Sequence, residues 1–171
     1  DALDRPIVGI TNTFSGFNAC HRNVPELIEA VKRGVMLAGG LPMEFPTISI
    51  HESFAAPTSM YLRNLMSMDT EEMLRAQPMD AVVMIGGCDK NMPGGMIAMA
   101  RTNVPSIYVY GGTIKAGHYK GKELNIVSAF EAVGEFTSGR LNEEDFKGVE
   151  QNACPGSGSC GGMYTANTMS S

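Results

Sequence analysis

At 171 residues the chain can bury one sizeable core, and 43% hydrophobic against 18% charged residues is a globular composition. A net charge of −5 without a basic stripe argues against nucleic acid as the main partner, and no apolar run approaches the ~20 residues that span a bilayer, so no membrane role is expected. The first residues, Asp1-Ala2-Leu3-Asp4-Arg5-Pro6, do not resemble a signal peptide, so the four cysteines favour reduced thiols with a metal or redox role in a cytoplasmic or organellar-matrix protein.

Ile7-Val8-Gly9-Ile10 reads as a short buried strand, and the loop from Thr11 to Asn23 after it carries Cys20. Pro25 to Leu37 predicts a helix. Leu27, Ile28, Val31 and Val35 recur at helical spacing, Pro25 suits the first turn, and Gly39-Gly40 suits the end. Glu44 to Ile50 predicts a strand interrupted by Pro46 and ending in the polar cluster His51-Glu52-Ser53. A helical pair is expected next, Ser59 to Met66 and Thr70 to Ala76, with Asp69 or Thr70 as N-cap of the second and Glu72 near its first turn. Ala81-Val82-Val83-Met84-Ile85 is a buried apolar strand, followed by Gly87-Cys88-Asp89-Lys90-Asn91-Met92-Pro93-Gly94 and a helix from about Pro93 to Thr102.

Pro105 to Tyr110 is a further strand, stopped by Gly111-Gly112. Residues 113–125 predict a polar loop, and Val127 to Phe136 and Glu143 to Gln151 predict helices. Ala153 to Gly162 is a Gly-rich loop with Cys154 and Cys160, after which Met163 to Met169 starts a helix. Strand and helix alternate, which predicts an α/β fold with a mainly parallel sheet flanked by helices. No repeat or linker divides residues 1–171, so one domain is expected. The helical pattern runs into Ser170-Ser171 without a C-cap signal, the mark of a fragment. The 13 methionines are scattered and read as core filling.

Three loops follow three strands: those of Cys20, of His51-Glu52-Ser53, and of Cys88-Asp89-Lys90. In a parallel sheet such loops gather at one edge, and the Cys154–Cys160 loop could join them. Thiols suit an iron or zinc centre, whereas Glu52 and Asp89 suit a hard cation such as magnesium, so two different inorganic centres are implied. There is no CxxC for a zinc ribbon and no Lys-Ser/Thr after the glycines for a phosphate loop. His21 beside Cys20 leaves a thiol-dependent hydrolase as another reading. His118 and His51 have plain readings as loop histidines, although His51 stands next to Glu52 at a strand end.

Four stretches together are distinctive: Asn18-Ala19-Cys20-His21, Lys32 to Gly40, Gly86-Gly87-Cys88-Asp89-Lys90, and Ala153 to Met169. Through them nearly the whole chain resembles the dihydroxy-acid and sugar-acid dehydratases, iron–sulfur enzymes that remove water from 2,3-dihydroxy acids. The resemblance implies that Cys20, Cys88 and Cys160 hold an iron–sulfur cluster, 2Fe–2S or 4Fe–4S, since three thiolates are compatible with either. Cys160 is preferred over Cys154 because the family's sugar-acid members keep a cysteine only at the former, which leaves Cys154 to packing. Glu52 and Asp89 are implied as ligands of Mg2+, and Lys90 as a catalytic lysine whose carbamate adds a third anionic oxygen. One iron without a protein ligand would then act as Lewis acid on the leaving 3-hydroxyl, and magnesium would hold the substrate carboxylate and 2-hydroxyl.

The front half, notably Ile50-His51-Glu52-Ser53-Phe54 and Pro57 to Leu65, is similar to the sugar-acid enzymes. The back half, Asn91-Met92-Pro93-Gly94 and Cys154-Pro155-Gly156, is similar to the branched-chain type. The expected substrate is therefore a small dihydroxy acid of branched-chain amino-acid biosynthesis, with a sugar acid as the alternative. Family members are longer, with a C-terminal β-barrel that should supply the base and further contacts, and they suggest homodimers or larger assemblies. A non-catalytic iron–sulfur module is the reading if the chain naturally ends here.

Overall fold

The apolar runs form four strands, β1 (Ile7–Asn12), β2 (Leu41–Pro46), β3 (Ala81–Gly86) and β4 (Ser106–Tyr110). In the computed structural model, which describes residues 4–162 and 165–170, all four lie parallel in the order β2-β1-β3-β4. The chain thus winds outward from β1 to β2, then returns to the other side of β1 for β3 and continues to β4. Helices α1 (Val24–Leu37), α2 (Arg63–Ala76) and α3 (Asn91–Thr102) make the crossovers.

Alternation along β3 divides the core between the two faces of the sheet. Val82 and Met84 join Phe45, Leu74 and Ala98 on the face covered by α2 and α3. Ile85 joins Ile10, Val24 and Ile28 on the face covered by α1, with Val83 and Val109 packed against them. Met73, Met79 and Met99 fill the first of these clusters, whereas Met36, Met43, Met60 and Met68 are exposed. Core filling therefore explains only part of the methionine excess.

Three differences from the sequence reading have physical causes. The second strand starts at Leu41 and stops at Pro46. It is an edge strand paired only with β1, so it can carry Pro42 and Pro46 where an inner strand could not. The Leu41 and Thr47 N–H groups donate to the β1 side, to Pro6 O at 2.8 Å and Asn12 O at 3.2 Å, so the alternate positions held by the prolines face outward.

The expected helix break near residue 69 is absent, because both candidate caps satisfy other groups. The Asp69 carboxylate accepts the Ile48 N–H at 2.7 Å, and the Thr70 hydroxyl donates back to Met66 O at 2.9 Å. One turn of 3-10 helix, Ser59–Leu62, leads directly into α2, which puts Glu72 in its interior.

Within the expected polar loop, β5 (Gly117–Tyr119) and β6 (Lys122–Leu124) form an antiparallel hairpin. Helices α4 (Ile126–Thr137) and α5 (Glu143–Asn152) match the reading. Helix α6 (Thr165–Ser170) does so from Thr165, Met163 and Tyr164 lying outside the described residues.

The Gly-rich loop is stitched to the chain after β4. Gly112 O accepts from Ser159 N–H at 2.7 Å and Cys160 N–H at 3.3 Å, and Ile114 N–H donates to Cys160 O at 2.9 Å. Ser159, fully buried, is wedged between Gly87 and Gly111, and its hydroxyl donates to Asn23 Oδ1 at 3.0 Å. A Cβ on Gly111 would collide with the Ser159 side chain. Gly111→Ala should therefore cost about 1–3 kcal/mol of stability, as overpacking does, and lower the thermal midpoint. An unchanged midpoint would show that the wedge is loose.

Candidate functional site

β1 and β3 pair only from Val8 to Ile10 and then part. Hydroxyls replace the missing ladder: the Ile85 N–H donates to Thr11 Oγ1 at 2.7 Å, and Thr13 Oγ1 donates to Ile85 O at 3.0 Å. The parting lies where the winding direction reverses, the position at which open parallel sheets bind ligands.

Cys20 sits in a single 3-10 turn, Ala19–His21, whose preceding Asn18 accepts the Cys20 N–H at 3.2 Å. Glu52 opens another such turn, Glu52–Phe54, capped by His51 Nδ1, which accepts the Ser53 N–H at 3.1 Å. Cys88 and Asp89 lie between β3 and α3, and Cys160 lies in the loop stitched to Gly112. Cys20, Glu52, Cys88, Asp89, Cys154 and Cys160 all line one cavity of about 910 Å³. Its lining also includes the apolar side chains of Ile114, Ile126, Phe130 and Met169, with Arg22, Ser53 and Thr168 among the polar ones.

Cys20 and Cys88 form a coupled thiol pair. The hydrogen bond to the Cys88 sulfur, helped by burial, pushes the Cys20 thiol far up. The same bond pulls Cys88 down to about 7, against burial, with further support from the backbone N–H groups of Glu52 and Asp89 and from the Asn18 amide. Cys88 is thus the more acidic thiol of the pair. Burial pushes Cys160 and Cys154 up, and Arg22 partly offsets this at Cys154.

Lys90 bridges the two carboxylates. Its Nζ pairs with Asp89 and, at 3.2 Å, with Glu52, and its side chain is only 12% exposed. Burial works against the ammonium, but Asp89 and Glu52 outweigh it and hold the lysine above its ordinary value. The Ser59 hydroxyl also donates to Glu52. A single positive group therefore already sits within reach of both acids.

The residues fit two kinds of group. Among the described residues no three His, Cys, Asp or Glu side chains converge on one bare ion. An iron–sulfur core is several atoms across and draws its thiolates from a wider ring, which suits cysteines carried on three separate loops. The carboxylate pair offers oxygen donors to a hard cation.

His21 is not disposed as a base for Cys20. Its ring is fully buried, Nε2 accepts from backbone N–H groups, and burial holds it down at about 4. Cys154, to which the resemblance gives no role, also lines the cavity. Sequence reasoning missed the apolar part of the lining and Arg22. Helical spacing predicted α4 but did not say what Ile126 and Phe130 would face. His118, read from sequence as a loop histidine, is exposed on strand β5 instead. No helix among the described residues is long and apolar enough to cross a membrane.

In metal-free protein, Cys88 should react with iodoacetamide with an apparent midpoint near pH 7, the reactive thiolate growing as pH rises through that value. Asn18→Ala should move the midpoint upward. Peptide mapping of the modified cysteine across a pH series would measure both, and a midpoint near the ~8.5 of a free thiol would contradict the pairing.

Residues 5–171 match a family model described as "Dihydroxy-acid/6-phosphogluconate dehydratase N-terminal". Among curated proteins, the chain is 57% identical to a dihydroxy-acid dehydratase of Herminiimonas arsenicoxydans, over 99% of this chain and 31% of that protein. It is also 57% identical to one of Polynucleobacter asymbioticus, over 98% of this chain and 30% of that protein. A Synechococcus dihydroxy-acid dehydratase is 54% identical over 98% and 30% respectively. The chain therefore spans about a third of the length of the relatives it matches.

Proposed function

The chain belongs to the dihydroxy-acid/6-phosphogluconate dehydratase family, and from that premise we propose that residues 1–171 are the N-terminal domain of a hydro-lyase converting a 2,3-dihydroxy acid to a 2-keto acid. What supports the reading is the single cavity shared by Cys20, Cys88, Cys160, Glu52 and Asp89. The three cysteines would hold an iron–sulfur cluster, and Glu52 and Asp89 a magnesium ion, with a carbamate on Lys90 adding an oxygen beside them. When bound, these groups supply Lewis acidity toward the leaving 3-hydroxyl and toward the carboxylate and 2-hydroxyl of the substrate. The net change is loss of the C2 proton and of the C3 hydroxyl as water, after which the enol tautomerises to the ketone. The base that takes the C2 proton lies in the remaining two-thirds of the protein, which would act as a homodimer or larger assembly.

This chain's own residues do the positioning. Cys88 is the more acidic thiol, so it gives up its proton to become a ligand more readily than its partner Cys20 or the raised Cys160. Lys90 pairs with both Glu52 and Asp89, and must yield its place to the cation. Ile114, Ile126, Phe130 and Met169 offer no hydrogen-bond partner to a polyhydroxylated chain, because their side chains are apolar. That apolar lining favours an alkyl-bearing acid over a sugar acid, and the names of the relatives give the class as a dihydroxy acid.

The complete protein, supplied with iron, sulfide and magnesium, should turn over 2,3-dihydroxyisovalerate at least about tenfold better than aldonic acids. Cys88→Ser should lose cluster absorbance and turnover together. Asp89→Asn should weaken the magnesium dependence while keeping the cluster spectrum. Normal turnover in Cys88→Ser would remove the cluster assignment, and a preference for aldonic acids would move the substrate to the alternative class.

A further inference from the structure

The fully buried imidazole of His21 ties together the two loops that carry the thiol pair, and the mechanism above leaves it without a task. Its neighbours fix its protonation. Thr13 O, 2.7 Å from Nδ1, can only accept, so Nδ1 carries the proton. The backbone N–H groups of Gly87 and Cys88, each 3.0 Å from Nε2, can only donate, so Nε2 offers its lone pair to both. These N–H groups follow the end of β3, where the ladder to β1 has already parted. Without the ring they would be buried and unpaired, a state that proteins avoid. Asn18 braces the same turn, donating to Ser49 Oγ at 3.0 Å and accepting the Cys20 N–H at 3.2 Å.

We propose that His21 is a positioning residue for the thiol pair: by accepting from Gly87 and Cys88, its Nε2 fixes the Cys88 loop against the Cys20 turn before any cofactor binds. His21 follows Cys20 directly in the chain, so the orientation of the ring and the direction of the Cys20 side chain are set together. The inference rests on the reading of Cys20 and Cys88 as cofactor ligands, and its test separates the two.

Two polar variants split the ring's functions. His21→Gln puts an acceptor oxygen near the Nε2 position, whereas His21→Asn keeps a donor near Nδ1 and has nothing that reaches Gly87 and Cys88. Both are made in the full-length protein. The first readout is capture of phenylarsine oxide, which bridges two adjacent thiols, by metal-free protein carrying Cys154→Ser and Cys160→Ser so that only the pair responds. The second is cluster absorbance after reconstitution with all cysteines present. His21→Asn should capture the arsenical about tenfold more slowly and hold correspondingly less cluster, the scale typical of lost outer-shell support, while His21→Gln stays near wild type. Equal capture and equal cluster content in the two variants would overturn the proposal. Nitrogen-15 NMR of the histidine rings in metal-free wild-type protein needs no variant to fold. It should show His21 protonated at Nδ1 and bare at Nε2, and the opposite tautomer would also overturn the proposal. Wild-type protein that captures the arsenical yet takes up no iron would instead sink the cofactor reading and leave the role of His21 standing.

Discussion

The site depends on one constraint, the reversal of winding between β1 and β3. A strand that lands on the far side of its predecessor leaves a gap where two crossovers diverge, and peptide groups at the gap lose their ladder partners. Here side chains take over. Thr11 and Thr13 pair with both backbone groups of Ile85, Asn23 donates to Gly111 O at 2.9 Å, and His21 serves Gly87 and Cys88. These bonds hold the peptide groups in place much as a ladder would. The gap is therefore open for a ligand and rigid in its walls, which is what a preorganised site requires.

The cavity combines two chemistries that are usually kept apart. Thiols and carboxylates crowd together, a juxtaposition that costs energy unless protons or cations intervene. The Lys90 ammonium between Glu52 and Asp89 meets that need for the acids, and the raised pKa of Cys20 beside Cys88 keeps the thiols from both being charged. Ile114, Ile126, Phe130 and Met169 of the same lining present only hydrocarbon and sulfur. A lining that mixes charged and apolar side chains suits a small molecule with polar and apolar parts.

Much of this was legible in the sequence because short apolar runs bounded by Gly and Pro have few alternatives to buried strands. The loops after β1, β2 and β3 were placed by topology alone, since parallel strands must expose their carboxyl ends together. Cys20, Cys88, Cys160, Glu52 and Asp89 came from motif resemblance, and the fold brings their positions to one cavity. What stayed hidden depends on partners distant in sequence. Asp69 and Thr70 look like caps until Ile48 and Met66 are seen to engage them. The β5–β6 hairpin turns at Lys120-Gly121, both at positive φ, and a lysine in that role lacks the Asn or Asp signature of such turns. The contacts of His21 join residues 66 and 67 positions apart, a span over which local pattern carries no information.

The two prolines of β2 have an effect beyond that strand. With the N–H groups of Leu41 and Thr47 turned toward β1, the outward donors of β2 fall at residues 42, 44 and 46, and two of these are imino nitrogens. That margin offers a visiting chain a single backbone donor, the Glu44 N–H. The opposite margin, Ser106 to Tyr110, contains no proline and exposes Ile107. The two margins of the sheet therefore differ in donors, poor beside β2 and fuller beside β4.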